Sequence, residues 1–126
     1  MTGEARDPVT DRVIGLAIEV HRQLGPGLLE SAYEDCLCHE LRTHGIDFRR
    51  QVPLPINYKG EHLDCGYRMD LVVAGSLIVE IKSVEKLLPL HEAQLLTYLK
   101  LSGLKTGLLL NFNVLLLKHG IKRMVL

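Results

Sequence analysis

An acid and a base stand two residues apart in one of the most apolar stretches of the chain. Glu80 and Lys82 lie within residues 77–84, whose composition predicts a central β-strand. Because side chains two positions apart on a strand project from the same face, both groups share a face with Ile78. A Glu-x-Lys pair in a strand is usually a solvent-facing ion pair. Here the preceding strand also contains Asp70, which would bring a second carboxylate to the same region.

The length of one loop decides whether the two carboxylates face each other. If residues 74–76 form a three-residue hairpin loop, Val73 pairs with Leu77 and Asp70 falls opposite Glu80. A two-residue loop would shift this register by one position. Directly opposed carboxylates repel unless a positive charge lies between them. Carboxylate oxygens favour Mg²⁺ or Mn²⁺ over zinc, so the pattern predicts a divalent cation of this kind.

Two helices should precede these strands. Apolar residues recur at helical spacing over residues 10–24, with Thr10 as N-cap and the Gly25-Pro26-Gly27 run as the stop. A second helix is expected over about residues 28–44, closed by Gly45.

The pattern then changes from a period of 3.6 to a period of 2, which predicts strands. Pro53 and Pro55 should make part of the first strand an edge or a bulge, and Lys59-Gly60 should form a turn. The strands are expected over 48–58, from residue 61 to about Val73, over 77–84, 106–112 and roughly 115–125, with a helix over 88–102 before the last two. This order, ααβββαββ, predicts an α/β fold with a central mixed five-stranded sheet flanked by helices. We expect one domain over residues 1–126, with residues 1–8 as a flexible N-terminus.

Composition excludes several classes of protein. The 126 residues carry 15 basic and 15 acidic side chains, and this neutral balance argues against a histone-like binder. The balance is uneven along the chain, because residues 1–63 carry seven basic and ten acidic groups and residues 64–126 carry eight and five. Three cysteines in no disulfide spacing suit the cytoplasm. No signal peptide or membrane-spanning segment is visible, so no membrane association is expected.

Three motifs resemble those of a known family. Asp70 followed by Glu80-Ile81-Lys82 resembles the D…(D/E)-x-K signature of the PD-(D/E)XK nuclease superfamily. The run from Gly27 to Tyr33 resembles the motif of the small bacterial GxxExxY proteins, a branch of that superfamily. Gln94 and Tyr98 resemble the Q-x-x-x-Y element of its exonuclease-like members. The resemblance covers about residues 9–126 and implies a restriction-endonuclease-like core.

The resemblance implies metal-dependent hydrolysis of phosphodiester bonds, with nucleic acid as substrate and DNA favoured over RNA. It also implies Mg²⁺ or Mn²⁺ as cofactor and leaves a homodimer open. The implied catalytic residues are Asp70, Glu80, Lys82, Glu30 and Gln94. The implied metal ligands are Asp70, Glu80, the Ile81 carbonyl and Glu30, and the implied substrate-binding residues are Arg68, Tyr98, Tyr33 and Lys100.

Several of these residues have a simpler reading. Glu30 could be a helix N-terminal acid that complements the helix dipole. Gln94 and Tyr98 could be a loop-bonded amide and a core tyrosine. His21 is better explained as a satisfied core histidine than as a catalytic one. Glu40 is expected to partner a buried arginine or a backbone group.

Two other functions remain alongside the enzyme. The chain could be a catalytically inactive module that keeps the nuclease fold and binds nucleic acid or protein. It could also be a structural protein whose polar cluster is only a buried ion-pair network. Cys36 and Cys38 are expected to be free thiols, because residues two apart on a helix point in different directions.

Overall fold

The computed structural model describes residues 7–126, and its first helix begins earlier than the sequence predicts. Helix α1 spans Pro8–Leu24, and its N-cap is Asp7 rather than Thr10. The Asp7 carboxylate accepts hydrogen bonds from the Val9 N–H at 3.1 Å and from the Thr10 hydroxyl at 2.8 Å. Asp7 is the better cap because its carboxylate also complements the helix dipole, and Pro8 suits the first turn. Of the predicted flexible segment, residues 1–6 lie outside the described part of the chain.

The second helix follows α1 after a short glycine-containing loop. Gly25 ends α1 with a φ of 70°, where a residue without a side chain is favoured, as the sequence predicted. Helix α2 spans Glu30–Thr43, which confirms the predicted helix to within two residues. The buried His21 of α1 bonds the Val114 carbonyl through Nε2 at 2.7 Å, which confirms it as a satisfied core histidine.

The remaining elements form a mixed sheet crossed by one helix, with the architecture that the sequence predicted. The strands are β1 Phe48–Pro53, β2 Ile56–Tyr58, β3 Glu61–Leu63, β4 Arg68–Val73, β5 Leu77–Lys82, β6 Thr106–Asn111 and β7 Ile121–Val125. Helix α3, Pro89–Ser102, connects β5 to β6. The five-stranded sheet has the order β1-β4-β5-β6-β7, and β5 with β6 is its parallel pair. This helical crossover after an antiparallel meander makes β5 the central strand.

Two predicted strands are divided in the structure, and the one from residue 61 to about Val73 becomes β3 and β4. The segment 48–58 breaks at Leu54-Pro55, so β1 alone joins the main sheet, while β2 pairs with β3 in a separate hairpin turned by Lys59-Gly60. A proline lacks the N–H that a continued ladder would need, and the Leu54 N–H donates instead to the Tyr67 carbonyl at 2.9 Å.

The last predicted strand, 115–125, is also wrong in its first half. Residues Leu117–Gly120 form a 3₁₀ turn, and β7 begins only at Ile121. Leu115 and Leu116 are exposed, so the apolar run that suggested a strand does not mark a buried one.

The sheet buries a different set of apolar residues on each face. Leu71, Val73, Leu77, Val79 and Ile81 pack in one cluster with residues of α1 and α2. Val72 and Ile78 pack in a second cluster with Leu95, Tyr98 and Leu99 of α3. Strand alternation therefore places Asp70 and Glu80 on the α3 face, next to Val72 and Ile78.

Among residues 7–126, no helix is long and apolar enough to cross a membrane.

Candidate active site

The β4–β5 hairpin sets the register of the two candidate carboxylates. Val73 pairs with Leu77 and Leu71 pairs with Val79, so the loop has three residues. This confirms the first of the two registers that the sequence allowed. When this register is continued by one residue beyond Leu71 and Val79, Asp70 lies opposite Glu80.

Beyond the Leu71–Val79 pair, hydrogen bonds from the backbone to the carboxylate side chains join the two strands. The Asp70 N–H donates to Glu80 Oε2 at 2.8 Å, and the Ile81 N–H donates to Asp70 Oδ2 at 2.8 Å. Each carboxylate therefore accepts a backbone hydrogen bond from the opposite strand. These crossed hydrogen bonds hold two acids side by side in the sheet and engage one oxygen of each.

The two acids lie where a negative charge is costly. Glu80 is only 4% exposed, and burial together with the Asp70 charge raises the pKa of Glu80 to about 8. Burial also raises the pKa of Asp70, to which the negative charge of Glu34 adds. The positive charge of Lys82, at the end of β5, acts in the opposite direction and lowers the pKa of both carboxyl groups. The site thus combines two crowded acids with one lysine.

The fold and this geometry agree with the comparison against protein families. A model described as the PD-(D/E)XK nuclease superfamily matches residues 7–124. The chain belongs to this superfamily. The match covers the sheet up to the penultimate residue of β7, including the hairpin that carries Asp70, Glu80 and Lys82. Comparison with curated proteins and with solved structures gives no match.

Membership in the PD-(D/E)XK superfamily makes a divalent ion the expected cofactor. The oxygen atoms around Asp70 and Glu80 are of the kind that binds such an ion. Carboxylates of Asp70 and Glu80 are the hard oxygen donors that Mg²⁺ and Mn²⁺ prefer. The Ile81 N–H points toward β4, and the carbonyl of the same residue in a strand points to the same side. The chemistry of these oxygen donors therefore fits such an ion. Within residues 7–126, no group of three or more His, Cys, Asp or Glu side chains is close enough to form a cage by itself.

Glu30 opens α2 and meets the chain just beyond β5. Its carboxylate is exposed and accepts the Ser83 N–H at 3.2 Å. The Ser83 hydroxyl donates to the Leu28 carbonyl at 2.6 Å. The start of α2 is thus attached to the residue after Lys82, which brings Glu30 to the carboxyl end of the active-site strand.

Tyr33, which the resemblance implied as a substrate-binding residue, is placed differently. It is fully buried and stacks on Phe112 with ring centroids 4.5 Å apart. Its hydroxyl donates to the Gly25 carbonyl at 2.7 Å and accepts the Leu28 N–H at 3.1 Å. The role in substrate binding is therefore corrected: Tyr33 fixes the loop between α1 and α2 and has no surface left for a substrate.

Sequence reasoning missed a second acid of α2. Glu34, not Glu40, is the buried acid that partners an arginine, with its Oε2 2.6 Å from Arg50 Nε. The Gln51 side-chain amide donates to both oxygens of Glu34, at 3.0 and 3.2 Å, and to Asp70 Oδ1 at 3.4 Å. The only available signal was the four-residue spacing of Glu30 and Glu34, which puts both on one helix face.

Gln51 occupies an unusual place in β1. Its φ is 52°, and it lies between Arg50, paired with Leu71, and Val52, paired with Met69. A non-glycine residue at positive φ is strained, and such strain persists only where the surroundings hold it. The hydrogen bonds from the Gln51 side chain to Glu34 and Asp70 stabilise this backbone conformation. Gln51 therefore connects α2 to the carboxylate pair.

Helix α3 brings Gln94 and Tyr98 to the other side of the site. Tyr98 is 7% exposed and packs in the cluster that contains Val72 and Ile78. Burial, with smaller contributions from the charges of Glu80 and other neighbours, raises the pKa of Tyr98. Gln94 and Tyr98 both line a cavity of about 430 Å³ beside α3.

The two remaining predicted substrate contacts lie on the surface. Arg68 begins β4, two residues before Asp70, and is exposed. Lys100 is exposed near the end of α3, two residues after the buried Tyr98.

Proposed function

We propose that the chain is a metal-dependent nuclease that hydrolyses phosphodiester bonds. Its superfamily implies a nuclease and a nucleic acid substrate. The observation that carries the proposal is the crossed pair of Asp70 on β4 and the buried Glu80 on the central strand β5, two residues before Lys82. Such an arrangement of opposed acids repels itself and therefore favours a cation as its partner.

In this proposal Asp70, Glu80 and the Ile81 carbonyl hold Mg²⁺ or Mn²⁺, and Glu30 completes or tunes the set. The bound ion supplies Lewis acidity and positive charge at the phosphate. Lys82 orients the attacking water and offsets the negative charge that develops on the phosphate. Gln94 orients a ligand or a phosphate, while Arg68, Tyr98 and Lys100 contact the substrate.

The test compares two lysines in the same stretch of chain. Purified protein should cleave DNA in Mg²⁺ or Mn²⁺, as followed by gel electrophoresis of labelled strands. Lys82→Ala should eliminate cleavage, whereas Lys86→Ala, which changes an exposed lysine four residues later, should leave the rate within about twofold of the original, as expected for a group outside the reacting atoms. Full activity in Lys82→Ala, or no cleavage of DNA or RNA with either ion, would contradict the proposal.

One observation favours a second candidate function. The crossed hydrogen bonds already satisfy one oxygen of each carboxylate without an ion, which suits a domain that keeps the fold and binds nucleic acid without cutting it. Such a module should bind labelled strands with an affinity that falls as salt rises. Binding without product under all metal conditions would support this function in place of the first.

The finer assignments are part of the same proposal. We infer DNA rather than RNA as the substrate, membership in the GxxExxY branch, and a homodimer as the assembly. A cytoplasmic location is supported by the three free cysteines. Parallel assays on DNA and RNA strands, with size-exclusion chromatography for the assembly, test these points.

A further inference from the structure

A cavity lined mainly by aromatic and aliphatic side chains lies beside the carboxylate pair. It has a volume of about 430 Å³, within the usual range of roughly 300–1,000 Å³ for ligand sites. Its walls come from the outer face of α3 and from the chain around the β2–β3 hairpin. The lining residues are Ile56, Tyr67, Leu90, His91, Ala93, Gln94, Thr97, Tyr98 and Leu101.

Two tyrosines form a corner of this cavity. The rings of Tyr67 and Tyr98 meet edge to face, with centroids 6.3 Å apart and planes inclined at 69°. Tyr98 is buried, but Tyr67 is 45% exposed, so a flat group could stack on its ring and meet Tyr98 at its edge.

Tyr98 connects the cavity to the site described above. Tyr98 lines the cavity and also packs in the cluster that contains Val72 and Ile78, the residues two positions from Asp70 and Glu80 on the same face. A group held against Tyr67 would therefore lie next to Tyr98, the residue whose pKa the charges of Glu80 and Asp70 help to raise.

The charges around the cavity suit a nucleotide. The described lining contains no Asp or Glu, and the exposed Arg68 directly follows Tyr67 in the chain. Gln94, Thr97 and His91 supply polar atoms among the apolar ones. An uncharged aromatic base with an attached phosphate matches this combination better than a carboxylate or a purely aliphatic ligand.

From these observations we infer that the cavity holds one unpaired nucleobase stacked on Tyr67, so that the enzyme takes single-stranded nucleic acid and presents the adjoining phosphodiester to the carboxylate pair. This inference deepens the proposed function and rests on it for the role of Asp70 and Glu80. A base within a duplex is already stacked and paired, and it cannot enter the corner without being unstacked.

The test is a binding experiment in EDTA, in which no cleavage is needed. Fluorescence anisotropy of labelled oligo(dT) should report binding by the original protein and clearly weaker binding of the duplex formed with oligo(dA). Tyr67→Ala should weaken oligo(dT) binding about tenfold or more, the scale of base–aromatic stacking, and Tyr67→Phe should keep it. Tyr58→Ala is the matched control, because Tyr58 is a tyrosine of the nearby β2–β3 hairpin that is 58% exposed and does not line the cavity. Oligo(rU) in the same assay tells whether the single strand is DNA or RNA.

A second variant keeps the test valid if Tyr67→Ala does not fold. Ala93→Trp adds bulk over the cavity from the exposed face of α3 and should weaken binding to a similar extent. Equal affinities of Tyr67→Ala and Tyr58→Ala, or equal binding of single strand and duplex, would overturn the inference. Binding that depends on Tyr67 in a protein that cleaves nothing would uphold the cavity and refute only the nuclease. If Tyr67→Ala changes neither cleavage nor binding, the nuclease proposal is upheld and the role of the cavity is refuted.

Discussion

At the scale of single residues, Glu80 is the most deeply buried of the described acidic side chains. It is buried in the central strand, faces Asp70 and accepts a backbone N–H from it. The hydrogen bond and Lys82 favour the charged carboxylate, but burial and the Asp70 charge outweigh them and raise the pKa of Glu80 to about 8. At neutral pH and without an ion, the folded state therefore keeps a proton on Glu80 that the unfolded chain would release.

This difference predicts a pH dependence of stability in EDTA. Because the pKa of Glu80 is higher in the folded state than its ordinary value of 4.5, the stabilisation is complete at low pH and is lost as pH rises to about 8. The free energy of unfolding, measured by urea denaturation, should fall over this interval. Glu80→Gln should flatten the fall, whereas Glu61→Gln, at an exposed acid of β3, should retain it. Identical slopes in the two variants would show that Glu80 does not hold the proton.

At the scale of elements, the junction after β6 supports the active-site strand. The Asn111 side chain accepts the Val84 N–H at 3.0 Å and donates to the Val84 carbonyl at 2.9 Å, which ties the chain leaving β5 to the end of β6. Gly120 lies directly against Asn111, where an added Cβ would stand 2.1 Å from the Asn111 carbonyl oxygen. The close approach is between backbone atoms, so it cannot be relieved by a side-chain rotation.

Gly120→Ala should therefore destabilise the protein by about 1–3 kcal/mol, the usual cost of forcing extra volume into a packed region. Gly15→Ala is the matched control, because Gly15 lies in α1 with nothing within 4 Å of an added Cβ. That change should stabilise the protein by up to about 1 kcal/mol, since alanine is the better helix former. The midpoints of thermal unfolding compare the two variants. A Gly120→Ala protein as stable as Gly15→Ala would show that the 3₁₀ turn can move away from Asn111.

At the scale of the whole molecule, the zero net charge conceals an uneven distribution. From Ala93 to the last residue the sequence contains no acid but five basic residues, Lys100, Lys105, Lys118, Lys122 and Arg123. Three of the acids, Glu30, Asp70 and Glu80, belong to the proposed metal site, and an ion held there would offset much of their charge. The molecule can therefore attract a polyanion to its C-terminal half although its charges balance.

A native-state metal site should also be visible in the stability of the whole protein. Mn²⁺ should raise the free energy of unfolding by about 2.7 kcal/mol when the free ion is roughly 100 times its Kd, because only the folded chain brings the donors together. Differential scanning calorimetry at neutral pH measures the shift. Asp70→Asn should abolish the effect, whereas Asp47→Asn, at an exposed acid before β1, should preserve it. An equal shift in both variants, or none in the original protein, would refute the site.

The sequence alone determined the main elements and limited the β4–β5 hairpin to two registers. Periodicity located α1, α2, α3 and the strands of the main sheet, because alternation and helical spacing are properties of neighbouring residues. The three-residue loop Ala74-Gly75-Ser76 was one of the two alternatives, and the structure confirms it. This loop length places Asp70 opposite Glu80. The exceptions were the cap at Asp7, the strands that are divided in the structure, and the last strand, which begins only after a 3₁₀ turn.

Only the tertiary structure decided which other residues join the site. Glu34 reaches Asp70 through Gln51, seventeen residues away in sequence, and this requires α2 to pack on the sheet edge and Gln51 to adopt a positive φ. Tyr33 matches a motif in sequence, yet packing turns its hydroxyl to the backbone of Gly25 and Leu28. Tyr67 lies between the separate hairpin and β4, where its ring is exposed and meets Tyr98 of α3. Patterns report what a residue's neighbours in the chain favour, whereas these contacts join segments far apart in sequence and arise only when the elements pack.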